Sequence, residues 1–442
     1  MLLSKDEAKT LTDKILSYVK ADDAQVSVRS EKNANLRFAN NAFLTSGGVV
    51  EIGANITVWK DRRAGSASTS DFEDSSLKAM VDLAEKVADL SPVDKQYLPT
   101  LGKQDYKEVD GFVDDTSNLA LSARAQAAAR IITASKKAGV ISAGFHEARA
   151  GAAGSATKNG NFDFERSTFA SLSVTARAKD GSSSGYFQRG HHDIRRLDTD
   201  RIADESISKA ANGKGARLIE PGVYPVILEP QAVGDLYGGM RFLFDARLAE
   251  EGRSPFSASG GATKIGEKVF DEKLTLMSDP WHPEVPGSQS AQDGIPAKKL
   301  YMIKDGVLEN LVYSRYWAEQ KKTKPTPGPV NMIMFSGSRK SKLDEMIKAS
   351  EKALLIGRFW YIRTTDARTA SVTGLTRDGV WMVENGKVAY PVTNLRFNES
   401  LIQAIAQGNI EDVGQPERIG SNSYLPALKL KAFNFTSISE AV

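Results

Sequence analysis

The sequence predicts an α+β fold, with a duplicated α/β N-terminal domain followed by a mostly antiparallel, β-rich C-terminal domain. Two observations lead to this prediction. A helix–strands–helix order occurs twice before residue 215, and short alternating strands with Asp-Gly or Asn-Gly turns dominate after it. The 442 residues also exceed what a single hydrophobic core usually serves, so we expect two domains, residues 1–215 and residues 216–442.

The first repeat, about residues 1–110, opens with an amphipathic helix over residues 4–19, where Ser4 and Glu7 have capping-box spacing. A second helix is predicted over residues 74–90, because apolar residues recur there on one face. Between the helices, alternating apolar residues predict four strands, near residues 26–28, 36–38, 52–59 and 64–70.

The second repeat, about residues 111–215, shows the same order, from a helix over residues 118–138 to a closing helix over residues 198–212. Thr57 and Thr175 occupy matching places, 118 positions apart, and the turns at Asn41 and Asn159 have the same separation. We therefore expect a duplicated α-β-β-β-β-α unit whose two copies share one core. Chance similarity between common elements is the alternative.

The C-terminal domain begins near Pro221 with a strand over residues 224–228. Glu229-Pro230 then starts a helix, with proline at the tolerated first helical position. A crossover helix is expected over residues 341–353. Three hairpins are predicted, at Asp305-Gly306, Asp378-Gly379 and Asn385-Gly386.

Composition excludes several classes of function. The 58 basic and 55 acidic residues leave a net charge of +3, too even for a nucleic-acid partner to be expected. Cysteine is absent, which excludes disulfides, thiolate nucleophiles and cysteine-ligated zinc. No apolar run has the length of a membrane helix, and the N-terminus lacks the apolar stretch of a signal peptide. We therefore expect a cytoplasmic protein with no membrane partner.

Two local motifs invite a chemical interpretation. The glycine-rich stretch 257–266 could cradle a phosphate, but a strand rather than a helix is predicted after it, which favours a surface loop. His191-His192-Asp193 could supply a metal-ligand pair or a His–Asp dyad. Because adjacent side chains diverge on a strand or a helix, a solvated turn is the expected structure there.

The order of motifs in the C-terminal half resembles the TldD/PmbA family of metalloproteases and their partner subunits, earlier described as modulators of DNA gyrase. The motifs are the Glu-Pro helix start within residues 226–239, the glycine-rich loop after Phe256, Asp293-Gly294-Ile295-Pro296, the hairpin at residues 304–308, and residues 372–374 and 383–387. The resemblance implies a cytoplasmic protein with an α/β N-terminal domain and a β-rich C-terminal domain.

In the catalytic, TldD-type subunit of that family, the corresponding helix begins with His-Glu-x-x-x-His. The two histidines hold zinc, and the glutamate is the base for the attacking water. Here Pro230 and Asp235 stand at the histidine positions and Gln231 at the glutamate position, while the third ligand of the family is a cysteine, which this chain lacks. The resemblance therefore implies a TldE/PmbA-type subunit with no catalytic residue and no metal ligand of its own.

Such a resemblance implies a non-catalytic subunit of a cytosolic, heteromeric zinc metallopeptidase. A TldD-like partner supplies the zinc, and this chain helps to enclose and guide unfolded peptides for proteolysis or peptide maturation. Gln231, Asp235 and Asp293 are expected to mark the substrate or partner cleft. Two alternatives stay open: a stand-alone homodimeric peptide-binding or regulatory protein without protease activity, and a family member with an unrelated metal site at His191 or His192.

Overall fold

Two β-sheets, of 6 and 13 strands, organise the computed structural model, which describes residues 2–338 and 340–439. Helices accompany both sheets, so the predicted α+β class is confirmed. Among the described residues, no helix has the length and apolar character needed to cross a membrane.

The six-stranded sheet is antiparallel throughout, in the order β3-β2-β1-β4-β5-β6. Its strands are β1 Asp23–Ala39, β2 Ala42–Lys60, β3 Arg63–Thr69, β4 Val140–Thr157, β5 Phe162–Ala178 and β6 Ser184–His191. The helices of this part are α1 Lys5–Ser17, α2 Asp74–Leu90, α3 Asp114–Ser117, α4 Leu121–Lys137 and α5 Thr199–Asn212.

The register of strand pairing reproduces the 118-residue repeat. Gln25 pairs with Thr57 between β1 and β2, and Ala143 pairs with Thr175 between β4 and β5. The two halves meet at the centre of the sheet, where β1 and β4 pair antiparallel. The duplication is therefore expressed as one sheet built from two three-stranded halves.

In the last strand of each half, a glycine allows the backbone of the following helix to pack directly against the strand. A Cβ atom on Gly65 in β3 would overlap the carbonyl oxygen of Ala84 in α2, and one on Gly185 in β6 would overlap that of Ser206 in α5. Close helix–sheet approach therefore requires glycine at both places.

Two details of the predicted repeat are wrong. Each half has three strands rather than four, because β1 and β4 continue through the stretches that separated two predicted strands. The sheet also has two hydrophobic cores rather than one, and the second core includes Leu36 and Phe38 from the first half. Val28 and Leu36 lie on the same face of β1, but roughly 26 Å apart at about 3.3 Å per residue. Helices α1 and α2 therefore cover one end of the long strands, and α4 and α5 cover the other.

The thirteen-stranded sheet is mostly antiparallel, with parallel pairs only between β7 and β12 and between β11 and β19 among the described residues. Its strands are β7 Gly222–Leu228, β8 Thr275–Ser278, β9 Leu300–Lys304, β10 Val307–Leu308, β11 Met332–Phe335, β12 Lys352–Ile356, β13 Phe359–Asp366, β14 Ser371–Thr376, β15 Val380–Glu384, β16 Lys387–Pro391, β17 Leu395–Ser400, β18 Ile410–Ile419 and β19 Ser423–Ile438. The helices here are α6 Pro230–Tyr237, α7 Ala246–Glu250, α8 Arg315–Gln320, α9 Leu343–Lys348 and α10 Leu401–Ala404.

The predicted hairpins at Asp305-Gly306 and Asn385-Gly386 are confirmed, since β9 pairs with β10 and β15 with β16. The hairpin at Asp378-Gly379 is wrong. These residues turn the chain with positive φ, but β14 pairs with β13 and β17 while β15 pairs with β12 and β16. A turn dipeptide sets only the local reversal, and the tertiary arrangement chooses the neighbours. The helix predicted over 341–353 is the shorter α9, because the chain re-enters the sheet at Lys352.

Candidate functional site

Helix α6 carries three of the four residues singled out from the sequence, and it packs beside β18, β19 and β13. Glu229 precedes it with extended backbone (φ −63°, ψ 158°), as a residue before proline prefers. Pro230 stands in the first turn, where its missing N–H costs nothing. The helix is held on the core by its buried side chains, which are Pro230, Ala232, Val233, Leu236 and Tyr237.

Asp235 is half-buried, and both of its carboxylate oxygens are engaged within the protein. The Gln231 side-chain amide donates to Oδ1 across one helical turn at 2.9 Å. The backbone N–H of Phe359, at the start of β13, donates to Oδ2, also at 2.9 Å. Asp235 therefore fixes the start of β13 against α6.

Burial raises the pKa of the Asp235 carboxyl from 3.8 to about 6. The Phe359 N–H, the Gln231 amide and the nearby Arg358 guanidinium oppose this rise without cancelling it. The carboxylate is therefore ionised at neutral pH, and its ionised form lowers the free energy of unfolding.

The residues present do not fit a zinc ion. Pro230 offers no donor atom, the Gln231 amide cannot accept a proton from water, and the oxygens of Asp235 already accept hydrogen bonds. Across residues 2–338 and 340–439, no three His, Asp or Glu side chains are grouped so that they could hold a metal ion. We derive no chemical step through zinc in this chain.

Models of a known family match both parts of the chain. The model described as PmbA/TldA metallopeptidase C-terminal domain matches residues 221–437, and the model for domain 1 of the same metallopeptidases matches residues 24–88. The chain belongs to the PmbA/TldD metallopeptidase family.

Solved structures share the fold of this PmbA/TldD family member over nearly its whole length. TldE from Thermococcus kodakarensis superposes with a TM-score of 0.86 at 16% identity, covering 97% of this chain and 99% of that one. A proposed modulator of DNA gyrase from Thermotoga maritima superposes with a TM-score of 0.83 at 18% identity, covering 97% and 100%. At such identities the likeness establishes the fold.

A metalloprotease from Synechocystis is 22% identical over 261 residues, which is 55% of this chain and 54% of that protein. The aligned part therefore spans about half the length of that relative.

In this family member, a buried ion pair joins the residue before α6 to α5, the helix that packs on β5 and β6 of the six-stranded sheet. Lys209 of α5 and Glu229, just before α6, lie 2.6 Å apart, and their side chains are 7% and 8% exposed. From the sequence, Glu229 is recognisable only as part of a Glu-Pro helix start, and Lys209 is missed. A sequence pattern within one helix or strand cannot show that Lys209 and Glu229, which belong to different elements, form an ion pair.

A second polar contact joins the same parts of the molecule. Arg358 donates to Oδ2 of Asp378 at 2.8 Å, and the Ser184 hydroxyl donates to Oδ1 at 2.7 Å. The Arg358 guanidinium also lies over the Tyr186 ring, at 3.7 Å from the centroid, and over the Trp360 ring, at 4.4 Å. The Asp378-Gly379 turn therefore anchors an arginine beside α6 rather than closing a hairpin.

Asp293, the fourth residue singled out, lies elsewhere. It sits with φ 60° in the short turn Gln292–Gly294, whose Gly294 carbonyl accepts a hydrogen bond from the Tyr106 hydroxyl at 2.6 Å. Together with Trp59, it lines a cleft of about 300 Å³ to which α6 does not contribute. None of the contacts among the described residues joins Asp293 to Gln231 or Asp235.

The expected solvated turn at His191-His192 is wrong. His191 is buried at the end of β6, and the two rings stack at 4.4 Å between centroids, because the strand ends there and the side chains no longer alternate. Nδ1 of His192 lies 2.8 Å from Nη1 of Arg418, and burial lowers the pKa of His192 to about 4. Glu284, at 3.6 Å from His191, completes no three-ligand group in the described chain.

Proposed function

We propose that this chain is the non-catalytic, TldE-like subunit of a cytosolic, heteromeric zinc metallopeptidase. In this proposal a TldD-like subunit supplies the zinc and the general base, and this chain helps to enclose and guide unfolded peptides for proteolysis or peptide maturation. The observation that carries the proposal is the chemistry of α6. Its motif positions hold Pro230, Gln231 and Asp235, and the one carboxylate among them is used to anchor β13.

The surface that would guide a peptide is the free edge of β13. In the described part of the chain β13 pairs only with β14, and it begins at Phe359, beside Asp235. An unpaired edge offers main-chain donors and acceptors to an extended peptide, whatever its sequence. Tyr361 in this strand is 62% exposed, with φ 52° in a bulge, which leaves an aromatic side chain available to such a peptide.

The test is reconstitution with the TldD-like subunit of the same organism. The two chains should co-purify, and cleavage of an unfolded peptide should require the TldD-like subunit, stop with a chelator, and rise when this chain is added. A complex in which the TldD-like glutamate is replaced by glutamine is the inactive control. Cleavage by this chain alone, abolished by a chelator, would contradict the proposal.

A variant of this chain gives a sharper check. Asp235→Asn should leave the activity of the complex unchanged within about twofold, because the proposal gives Asp235 no role in chemistry. A loss of a hundredfold or more, with the complex still assembled, would show that the carboxylate takes part in the reaction.

A further inference from the structure

A buried arginine without a carboxylate partner lies where β18 contacts β6. Arg418, near the end of β18, is 8% exposed, and burial lowers its pKa to about 10, so it stays charged at neutral pH. Within the described chain, no Asp or Glu carboxylate forms an ion pair with it. The Glu284 carboxylate lies instead 2.7 Å from Arg196 and 3.6 Å from His191. Because buried charges are normally paired, Arg418 is suited to an anion from outside the described chain.

One N–H group of the Arg418 guanidinium is available to such an anion. Nη1 donates to the Glu284 carbonyl oxygen and to Nδ1 of His192, both at 2.8 Å. Nη2 donates to the Ser421 carbonyl oxygen at 2.6 Å, and Nε donates to that of Gly420 at 3.4 Å. A guanidinium has five N–H groups, so one N–H on Nη2 has no partner among the described residues.

The contact with Arg418 also fixes the tautomer of His192. Because arginine only donates, Nδ1 of His192 accepts, and the proton of the neutral ring is on Nε2. Neither this Nε2–H group nor the side-chain amide N–H groups of Asn422 donate to any described residue. Arg418, His192 and Asn422 all line one cavity, which therefore has three kinds of hydrogen-bond donor in its wall.

The cavity has a volume of about 390 Å³, enough for a small organic molecule. It lies between the first half of β5, residues 286–289 and the turn that joins β18 to β19. Arg166, over the Phe112 ring at 3.7 Å, adds a second guanidinium to the wall. Carboxylates repel a phosphate dianion more strongly than a monoanion, so their presence in the wall favours a singly charged ligand. The carboxylates in the wall are those of Glu108, Asp110 and Glu165.

We propose that this cavity binds a small carboxylate ligand, whose oxygens accept hydrogen bonds from Arg418, His192 and Asn422. The carboxylate supplies the charge that the buried guanidinium lacks, and hydrogen bonds to a charged acceptor are stronger than neutral ones. The apolar part of the ligand packs on Phe169 and Pro286, which also line the cavity. This inference does not depend on the proposed function, because α6 contributes no residue to the cavity.

NMR of the histidine side chains tests the proposal, because the chain has four histidines. The probe is N-acetylglycine, and the control is N-acetylglycinamide, which has nearly the same shape and no charge. Adding N-acetylglycine to the full chain at pH 7 should shift the His192 signal to saturation, and His192→Gln identifies that signal by removing it. The signals of His146 and His282, which do not line the cavity, should not move. N-acetylglycine should bind at least about tenfold more tightly than the amide, and also more tightly than inorganic phosphate.

Two substitutions assign this binding to the cavity. Asn422→Asp places a negative charge in the wall and should weaken N-acetylglycine binding at least about tenfold, because like charges repel. Arg418→Gln removes the buried cation and should abolish the saturable shift. Arg368→Gln, at an exposed site outside the cavity, is the control for the loss of one arginine and should bind like the parent. Thermal unfolding shows whether each variant is folded, and Asn422→Asp decides if Arg418→Gln does not fold.

Four results would overturn the proposal. They are a His192 signal that does not respond to N-acetylglycine, equal affinity for the acid and its amide, tighter binding of phosphate than of N-acetylglycine, and unchanged affinity in folded Asn422→Asp.

Discussion

Replacing Asp235 by asparagine should stabilise the protein above pH 6. The folded-state pKa of about 6, against an ordinary 3.8, means that folding disfavours the ionised carboxylate. This difference between the folded-state and the ordinary pKa corresponds to about 3 kcal/mol. Because the pKa is raised, the carboxylate lowers stability by this amount above about pH 6. The penalty shrinks as the pH falls from 6 towards 4, and it vanishes below 3.8, where the group is protonated in both states.

Asparagine keeps the geometry without the charge. Its carbonyl can accept from the Phe359 N–H, and its amide can donate to Gln231 after that side chain flips. Urea unfolding of both proteins between pH 4 and pH 8 measures the difference in free energy of unfolding. This difference should rise from near zero at pH 4 to as much as about 3 kcal/mol at pH 8.

Asp204→Asn, at an exposed position on α5, is the control for the loss of one surface carboxylate. Because all three proteins share every other titrating group, differences between them isolate the substituted carboxyl. A difference for Asp235→Asn that does not vary with pH, or a variant less stable than the parent at pH 8, would refute the reasoning.

Three further outcomes are expected. Lys209→Met should lower the free energy of unfolding in urea by about 3–5 kcal/mol, because it leaves Glu229 buried without its cation. The double variant Lys209→Met/Glu229→Gln should recover part of that loss. A coupling free energy near zero would contradict this. Gly65→Ala should lower the melting temperature markedly, since the new methyl group meets the backbone of α2; an unchanged melting curve would mean that the helix can retreat. Pro230→His/Asp235→His should still bind no stoichiometric zinc by elemental analysis, because the chain offers no cysteine ligand; one zinc per chain would contradict the ligand analysis.

The sequence predicts those local features that are determined by residues close together in the chain. The capping box at Ser4 and Glu7, the start of α6 at Pro230 and the turns at Gly306 and Gly386 all form where the sequence indicates them. Each depends on backbone preferences or on hydrogen bonds that span a few residues.

Strand length and burial of the histidines were not predictable in this way. β1 continues through Glu31 and Asn33 because β2 and β4 supply main-chain partners on both sides, so apolar alternation is not needed there. The His191 and His192 rings stack on each other, and His192 contacts Arg418, which lies more than 200 positions away in the chain. No local pattern carries that contact.

The sequence alone determined the class of fold, the repeat and the chemistry missing from the motif, since residue identity decides whether a side chain can donate electrons to a metal. The tertiary structure decided how the emptied positions are used. In the folded chain, Asp235 accepts a hydrogen bond from the start of β13, and Lys209 forms an ion pair with Glu229. Asp293 lines a different cleft, and residues 42–53 of β2 have no strand partner on the β3 side. Those outcomes depend on distances between residues far apart in the chain, which only the packed fold sets.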